Sequence, residues 1–266
     1  MDWLQAIVLA IVQGVTEFLP VSSAAHLILV PVLTPWDDQG LAFDVALHVG
    51  SLAAVVGYFR RELAGMAVDW LGSLRGRGLT ADARLAWAVG LGTIPVGLAG
   101  LAFREQIELL MRSPVVLATS LIGFGLLLGW ADWRWRGKKS EYDIGWREVA
   151  VIALAQALAL IPGTSRSGVT MTAALLLGFS RRAAARYSFL LAIPIIALAG
   201  AYQTLQLLRA PPETVDWLQL GAGAAIAGIA AWLSVHWFLK LIERIGMLPF
   251  VVYRLILGAI LLWIFL

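Results

Sequence analysis

Cysteine is absent from the 266 residues, which excludes disulfides, iron–sulfur clusters and thiolate nucleophiles. Histidine occurs only three times, scattered and without the spacing of a zinc site. Charge is scarce as well. Asp, Glu, Lys and Arg make up 14% of the chain, and the net charge of +3 is small and dispersed. No basic run is interleaved with polar surface residues, so nucleic acid is not an expected partner. Residues 1–20 lack a basic n-region and an A-x-A site, so they read as a retained segment rather than a signal peptide. No linker, low-complexity tract or second domain is visible.

What the chain has is apolar surface. It is 60% hydrophobic, with a mean hydropathy of +0.83, values that belong to a polytopic membrane protein. Several of the twelve tryptophans (Trp36, Trp70, Trp130, Trp133, Trp217) lie near segment ends, as in an interfacial aromatic belt. Six stretches are long enough to span: 41–60, 85–103, 114–131, 184–204, 217–237 and 249–266. Two more apolar regions, 2–33 and 146–180, are interrupted by polar residues, at Gln13 to Ser23 and at Pro162 to Ser167. Each interrupted region precedes three spans. The expected fold is therefore an all-α integral membrane protein, one domain over 1–266. It has six transmembrane helices and two re-entrant helix–loop–helix pairs, in pseudo-repeats covering about 1–131 and 145–266.

Charge sets the expected orientation. With 60–84, 132–147, 181–186 and 240–254 inside, that side collects most of the basic residues, Arg60, Arg61, Arg136, Arg181, Arg186 and Arg254 among them. Arg104, Arg112 and Arg209 are left outside, together with Asp37 and Asp38. Three spans per half make the halves inverted, and the two broken regions then enter from opposite faces, so that their tips can meet. The segments 60–84 and 132–147 read as polar, basic loops, the second suited to anionic headgroups.

The second break reads Pro162-Gly-Thr-Ser-Arg-Ser-Gly-Val-Thr170. Pro-Gly ends an arriving helix, and Ser167 is placed to cap a new one running to about Gly178. Ser165 and Arg166 then sit at the tip, where helix N–H groups, hydroxyls and a guanidinium suit a phosphate. An Arg between long apolar flanks must face protein or water, although an ordinary loop with a snorkelling Arg is the plainer reading. In the first break, Gln13 and Glu17 share a helix face, Pro20 ends that helix, and Ser22 or Ser23 can cap the next. Ser23 and His26 then share the following turn. Carboxylate, imidazole, hydroxyls and guanidinium together make a phosphoryl-transfer set. A hydroxyl or His26 is the nucleophile, and Glu17 or His26 the base. With one carboxylate in the set, the expected cofactor is a Mg²⁺ or Ca²⁺ shared between Glu17, Gln13 and diphosphate oxygens. His48 and His236 read as structural, and Asp44 as an outer-surface residue or helix cap.

With Gln13-x-x-x-Glu17-Phe-Leu-Pro-Val-Ser-Ser-x-x-His26 and Pro-Gly-x-Ser-Arg-Ser-Gly-x-Thr170 in hand, the chain resembles the bacterial undecaprenyl-diphosphate phosphatase family of the bacitracin-resistance BacA type. The resemblance extends to Arg186-Tyr-Ser-Phe-Leu-Leu-Ala-Ile-Pro194 and covers essentially the whole chain. It implies hydrolysis of an isoprenoid diphosphate lipid to the monophosphate, recycling the carrier for peptidoglycan synthesis. It also implies a bacterial plasma-membrane location, a site open to the periplasm, and a divalent cation. Membrane lipids are the other expected partners, and a homodimer is allowed.

Carried over, Gln13 and Glu17 match the family's (E/Q)-x-x-x-E pair. Glu17, Ser23, His26 and Arg166 form the catalytic set. Ser22, Ser165, Arg166, Ser167 and Thr170 form the phosphate-binding set. Ser23 is favoured as nucleophile with His26 as base, and His26 as direct nucleophile is the alternative. Gln13 stands where many members have Glu, and Ala25 where Gly is common. The rival class is a secondary transporter or lipid flippase, which broken helices and inverted repeats fit equally well. Such a protein needs no nucleophile.

Overall fold

The computed structural model describes residues 1–103, 106, 113–134, 137–209 and 216–265, the side chains of 31 and 32 excepted. Arg104, Arg112 and Arg136, used above for orientation, lie outside the described residues.

Eleven α-helices are described. They are α1 Trp3–Thr16, α2 Ser23–Leu33, α3 Leu41–Tyr58, α4 Arg60–Leu74, α5 Ala81–Ala102 and α6 Pro114–Arg134, then α7 Trp146–Ala157, α8 Arg166–Leu176, α9 Arg181–Arg209, α10 Trp217–Ile245 and α11 Leu248–Phe265. Six of them, α3, α5, α6, α9, α10 and α11, are long and apolar enough to cross a membrane, and they coincide with the six stretches read from the sequence. Their outward faces carry large apolar side chains, such as Trp217, Leu208 and Trp263, which lipid covers in an integral membrane protein. The protein is all-α and integral to the membrane.

Capping chemistry explains several helix starts. Asp2 accepts from Gln5 N–H at 2.6 Å, Thr80 from Ala83 N–H at 3.1 Å, and Asp216 from Gln219 N–H at 3.0 Å. By contrast α1, α2, α7 and α8 are too short for a core of about 30 Å at about 1.5 Å per residue. They pack as two pairs, α1 with α2 and α7 with α8.

The segment read as a polar loop, 60–84, instead contains α4. Its stretch from Arg60 to Leu74 has no proline, and Leu63, Met66 and Trp70 give it an apolar face. That face lies along α5, with the Trp70 and Trp87 rings 5.7 Å apart. The second basic loop is also tied down. Lys139 N–H donates to Gly178 O, and Ser180 N–H to Lys139 O. Arg186 reaches both Glu62 and Glu141, and Arg181 holds Asp132 at 2.6 and 2.9 Å. Part of the positive charge at this end, that of Arg181 and Arg186, is therefore held in ion pairs within the protein.

The packing has an internal correspondence. α1 packs on α10 as α7 packs on α5, and α3 packs on α10 as α9 packs on α5. α3 also pairs with α9, and α6 with α11. Laid in order, α1, α2, α3, α5, α6 and α7, α8, α9, α10, α11 share these pairings, while the packing of α8 on α6 and α9 is not matched by α2 on α11 and α3, and α4 has no counterpart. The main core runs around α8 and α9, where Phe18 of the first break sits edge-on to Phe189 at 5.5 Å.

Candidate active site

The two polar breaks meet. Ser167 Oγ, from the second, donates to Leu19 O of the first at 2.7 Å, and Arg166 Nη2 reaches Glu17 Oε1 at 3.2 Å. Both loops turn through a serine in the left-handed region, Ser22 at φ 72° and Ser165 at φ 69°. These are the two non-glycine residues with positive φ among the described residues, and each precedes the first residue of a short helix. Such a conformation costs about 1–3 kcal/mol, so the surroundings must hold it.

Local sequence explains the second loop, with one correction. Ser165, not Ser167, is the N-cap of α8: its Oγ accepts from Gly168 N–H at 3.1 Å. Ser167 lies inside the first turn, and its hydroxyl serves Leu19 O and Ser165 instead. The reason is the backbone: Ser165 takes the turn conformation, so the helix begins at Arg166. The N–H groups of Ser165, Arg166 and Ser167 have no partner among the described residues. Thr170 Oγ1 is buried, bonding Arg166 O at 2.8 Å and Ser188 Oγ at 2.8 Å. It braces the arginine from behind.

Glu17 is the hub. Its Oε2 accepts from Ser23 Oγ at 2.7 Å and from Gln13 Nε2 at 3.0 Å, and its Oε1 faces Arg166. The other arm of Arg166 donates to Ser188 O at 3.0 Å. Ser23 is thus paired with Glu17 and not with His26. His26 Nδ1–H donates to the Ser22 carbonyl at 2.7 Å, which leaves Nε2 to accept from Tyr253 Oη at 2.6 Å. The group hydrogen-bonded to the Ser23 hydroxyl is therefore a carboxylate and not the imidazole, an arrangement of the kind that nucleophilic catalysis uses.

Two residues of this region escaped the sequence reading. His48 of α3, read as structural, puts Nε2 3.8 Å from Glu17 Oε2, while its Nδ1–H donates to Asp44 O at 2.8 Å. Asp44 is not the cap of α3, which is Gly40; it lies in the first turn and accepts from Gln39. Arg254, counted above among the inward-facing charges, is fully buried in α11 between the two breaks. A lone arginine in the apolar run from Leu248 to Phe265 was the available signal. His236 stacks on Trp232, the structural place expected of it.

The donor set bears on a metal. Among the described residues no three of His, Cys, Asp and Glu gather around one point. Glu17 supplies one carboxylate, and Gln13 Oε1 is buried without a partner. Two protein oxygens fit a hard cation only where phosphate oxygens and water complete its shell.

Residues 6–260 match the profile of the family described as Bacitracin resistance protein BacA. The chain belongs to this family. Among BacA relatives, an undecaprenyl-diphosphatase of Thioalkalivibrio sulfidiphilus is 64% identical over 265 residues, covering 100% of both chains. Undecaprenyl-diphosphatase 2 of Stutzerimonas stutzeri is 62% identical, covering 100% of this chain and 99% of its own. An undecaprenyl-diphosphatase of Nitrosococcus oceani is 57% identical over the full length of both. The BacA profile takes in both breaks and both residues missed from sequence, His48 and Arg254.

Proposed function

We propose that this protein hydrolyses undecaprenyl diphosphate to undecaprenyl phosphate and inorganic phosphate. That reaction recycles a lipid carrier for cell-wall synthesis, and it is consistent with the bacitracin resistance in the family's description. The observation that carries the chemistry is the 2.7 Å hydrogen bond from Ser23 to Glu17, with Arg166 on the other carboxylate oxygen.

Ser23 Oγ attacks the terminal phosphorus as its proton passes to Glu17. The bridging P–O bond breaks, and the lipid monophosphate leaves with that proton. Water then attacks the phosphoserine, giving a proton to Glu17, which returns it to Ser23 Oγ as inorganic phosphate departs. Arg166 and the free N–H groups of Ser165, Arg166 and Ser167 stabilise the charge on the transferring group. His26, fixed by Ser22 O and Tyr253, lines the cradle as a phosphate contact. A divalent cation arriving with the diphosphate would be held by Glu17 and Gln13 Oε1, and it would neutralise charge on the phosphate oxygens.

The apolar groove of about 700 Å³ lined by Ile11, Val15, Leu19, Ile229, Leu233 and Trp237 is the path for the isoprenoid tail. Leu19, the residue whose carbonyl takes the Ser167 hydroxyl, is part of its lining. The matching helix contacts support an inverted repeat in which α1–α2 and α7–α8 are re-entrant pairs. On this reading the protein sits in a bacterial plasma membrane with the ion-paired end around Glu62 and Arg186 inward and the end around Asp44 and His48 outward, an orientation that the excess of basic residues at the Arg186 end supports. No observation favours a transporter, in which Ser23 and Glu17 would have no chemistry to perform.

The test is phosphate release from a long-chain isoprenyl diphosphate by the purified protein in detergent, with and without Mg²⁺ or Ca²⁺. Ser23→Ala, Glu17→Gln and Arg166→Ala should each lose on the order of 10³-fold in kcat, and His26→Ala less. Full activity in Ser23→Ala with loss in His26→Ala would move the nucleophile to His26. No release by the wild type under any metal condition would sink the enzyme.

A further inference from the structure

Arg254 is fully buried, and no acidic side chain among the described residues lies within ion-pair distance of it. Instead its guanidinium is wrapped in main-chain oxygens. Nε donates to Leu121 O at 3.1 Å, and Nη1 to Pro20 O at 3.1 Å. Nη2 reaches Gly163 O and Thr164 O at 3.0 Å each, and Ser120 O at 3.4 Å. A buried charge answered only by carbonyl dipoles is costly unless a counter-charge arrives.

Three of those carbonyls belong to the breaks themselves: Pro20 in the first, Gly163 and Thr164 in the second. A peptide unit is planar, with C=O and N–H pointing in opposite directions. Turning the Thr164 carbonyl onto Arg254 therefore turns the Ser165 N–H the other way, away from the guanidinium and free of any partner among the described residues. The guanidinium also abuts that start directly, since a Cβ added at Gly168 would lie 2.9 Å from Nη1. The positive-φ serines, Ser22 and Ser165, each lie within two residues of a carbonyl that Arg254 holds.

We propose that Arg254 is a positioning residue of the diphosphate site. It staples the two breaks together, aims their amide groups at the phosphate, and lends the cradle a positive charge that no protein carboxylate cancels. It touches the peptides and not the substrate. The inference rests on the reading of this site as a diphosphate cradle.

The test compares Arg254→Lys, which keeps the charge and loses the fork, with Arg254→Gln, which loses the charge and keeps an amide donor. For each, kcat and KM on the isoprenyl diphosphate are measured, together with inhibition by inorganic pyrophosphate and the thermal midpoint in detergent. Arg254→Gln should weaken pyrophosphate inhibition at least tenfold. Arg254→Lys should change it less than threefold while kcat falls about tenfold, because the loop amides lose their alignment. Should the Gln variant not fold, the Lys variant decides: wild-type kcat at a wild-type midpoint overturns the proposal. So does unchanged pyrophosphate inhibition in a folded Gln variant, or activity that only follows the midpoint in both. The wild type in the same series reports on the cradle itself. If it neither hydrolyses the lipid nor responds to pyrophosphate, the functional reading fails independently of Arg254.

Discussion

Glu17 collects more of this protein's chemistry than any other side chain: a hydroxyl, an amide and a guanidinium donate to it, and an imidazole stands 3.8 Å away. That gap is too long for a direct hydrogen bond and suits a ligand or water oxygen between the two groups. His48 therefore stands beside the candidate site as a contribution of α3, its ring fixed by the Asp44 carbonyl. Replacing it with Leu should lower kcat about tenfold, or about 1.4 kcal/mol of transition-state stabilisation, with little change in the thermal midpoint. His48→Gln, which keeps a donor and an acceptor, should retain most of the activity. Wild-type kcat in His48→Leu would reduce the residue to a lining of the mouth. Nothing around His48 in the sequence announced this, because its partner lies on another helix. Gln13, Glu17, Ser23, Ser165 and Arg166 were legible because helix spacing and a helix break bring chemically distinct groups together within a few residues. The choice between Glu17 and His26 as the partner of Ser23 was not, since Ser23 and His26 share a helix face whichever way the ring turns.

Among the elements, the six spans were readable since length and apolarity alone define them in lipid. α4 was not: its charge density reads as a loop until its apolar face is laid on α5. Helix contacts carry a further demand that no single segment displays. α3 crosses α10 so closely that a Cβ on Gly50 would lie 2.0 Å from the Ala224 carbonyl oxygen. Small residues at such crossings let backbones approach, which is how membrane helices gain packing energy. Gly50→Val should therefore destabilise the protein by about 2–3 kcal/mol, the cost of overpacking a well-filled contact. It should also depress activity, because α3 carries His48. Gly57, on the same helix with nothing near its Cβ position, is the control. Gly57→Ala should leave the unfolding midpoint in detergent unchanged or slightly raised. Equal effects at the two positions would show that the close crossing is not what holds α3 in place.

For the whole molecule, orientation follows from the distribution of charge, and the absence of cysteine makes it directly measurable. Asp37 and Asp38 precede α3, while Arg60, Arg61, Arg75 and Arg77 follow it, so the ends of this one span should lie on opposite faces. Ion pairing within the protein weakens the bias without reversing it, since Arg181 and Arg186 are matched by Asp132, Glu62 and Glu141 at the same end. A single cysteine at Asp38 should react with a membrane-impermeant maleimide in intact cells, and one at Gly76 only after permeabilisation. A third, at Lys139 beside α8, should behave like Gly76, because Lys139 N–H is bonded to Gly178 O at the far end of that helix. If α8 enters from inside and α2 from outside, two helix N-termini, α2 without a side-chain cap and α8 with the N–H groups of Arg166 and Ser167 still free, converge on one diphosphate from opposite leaflets. Labelling of Lys139→Cys from outside would put both breaks on one face, and the inverted arrangement would then have to be abandoned even if the phosphatase stood.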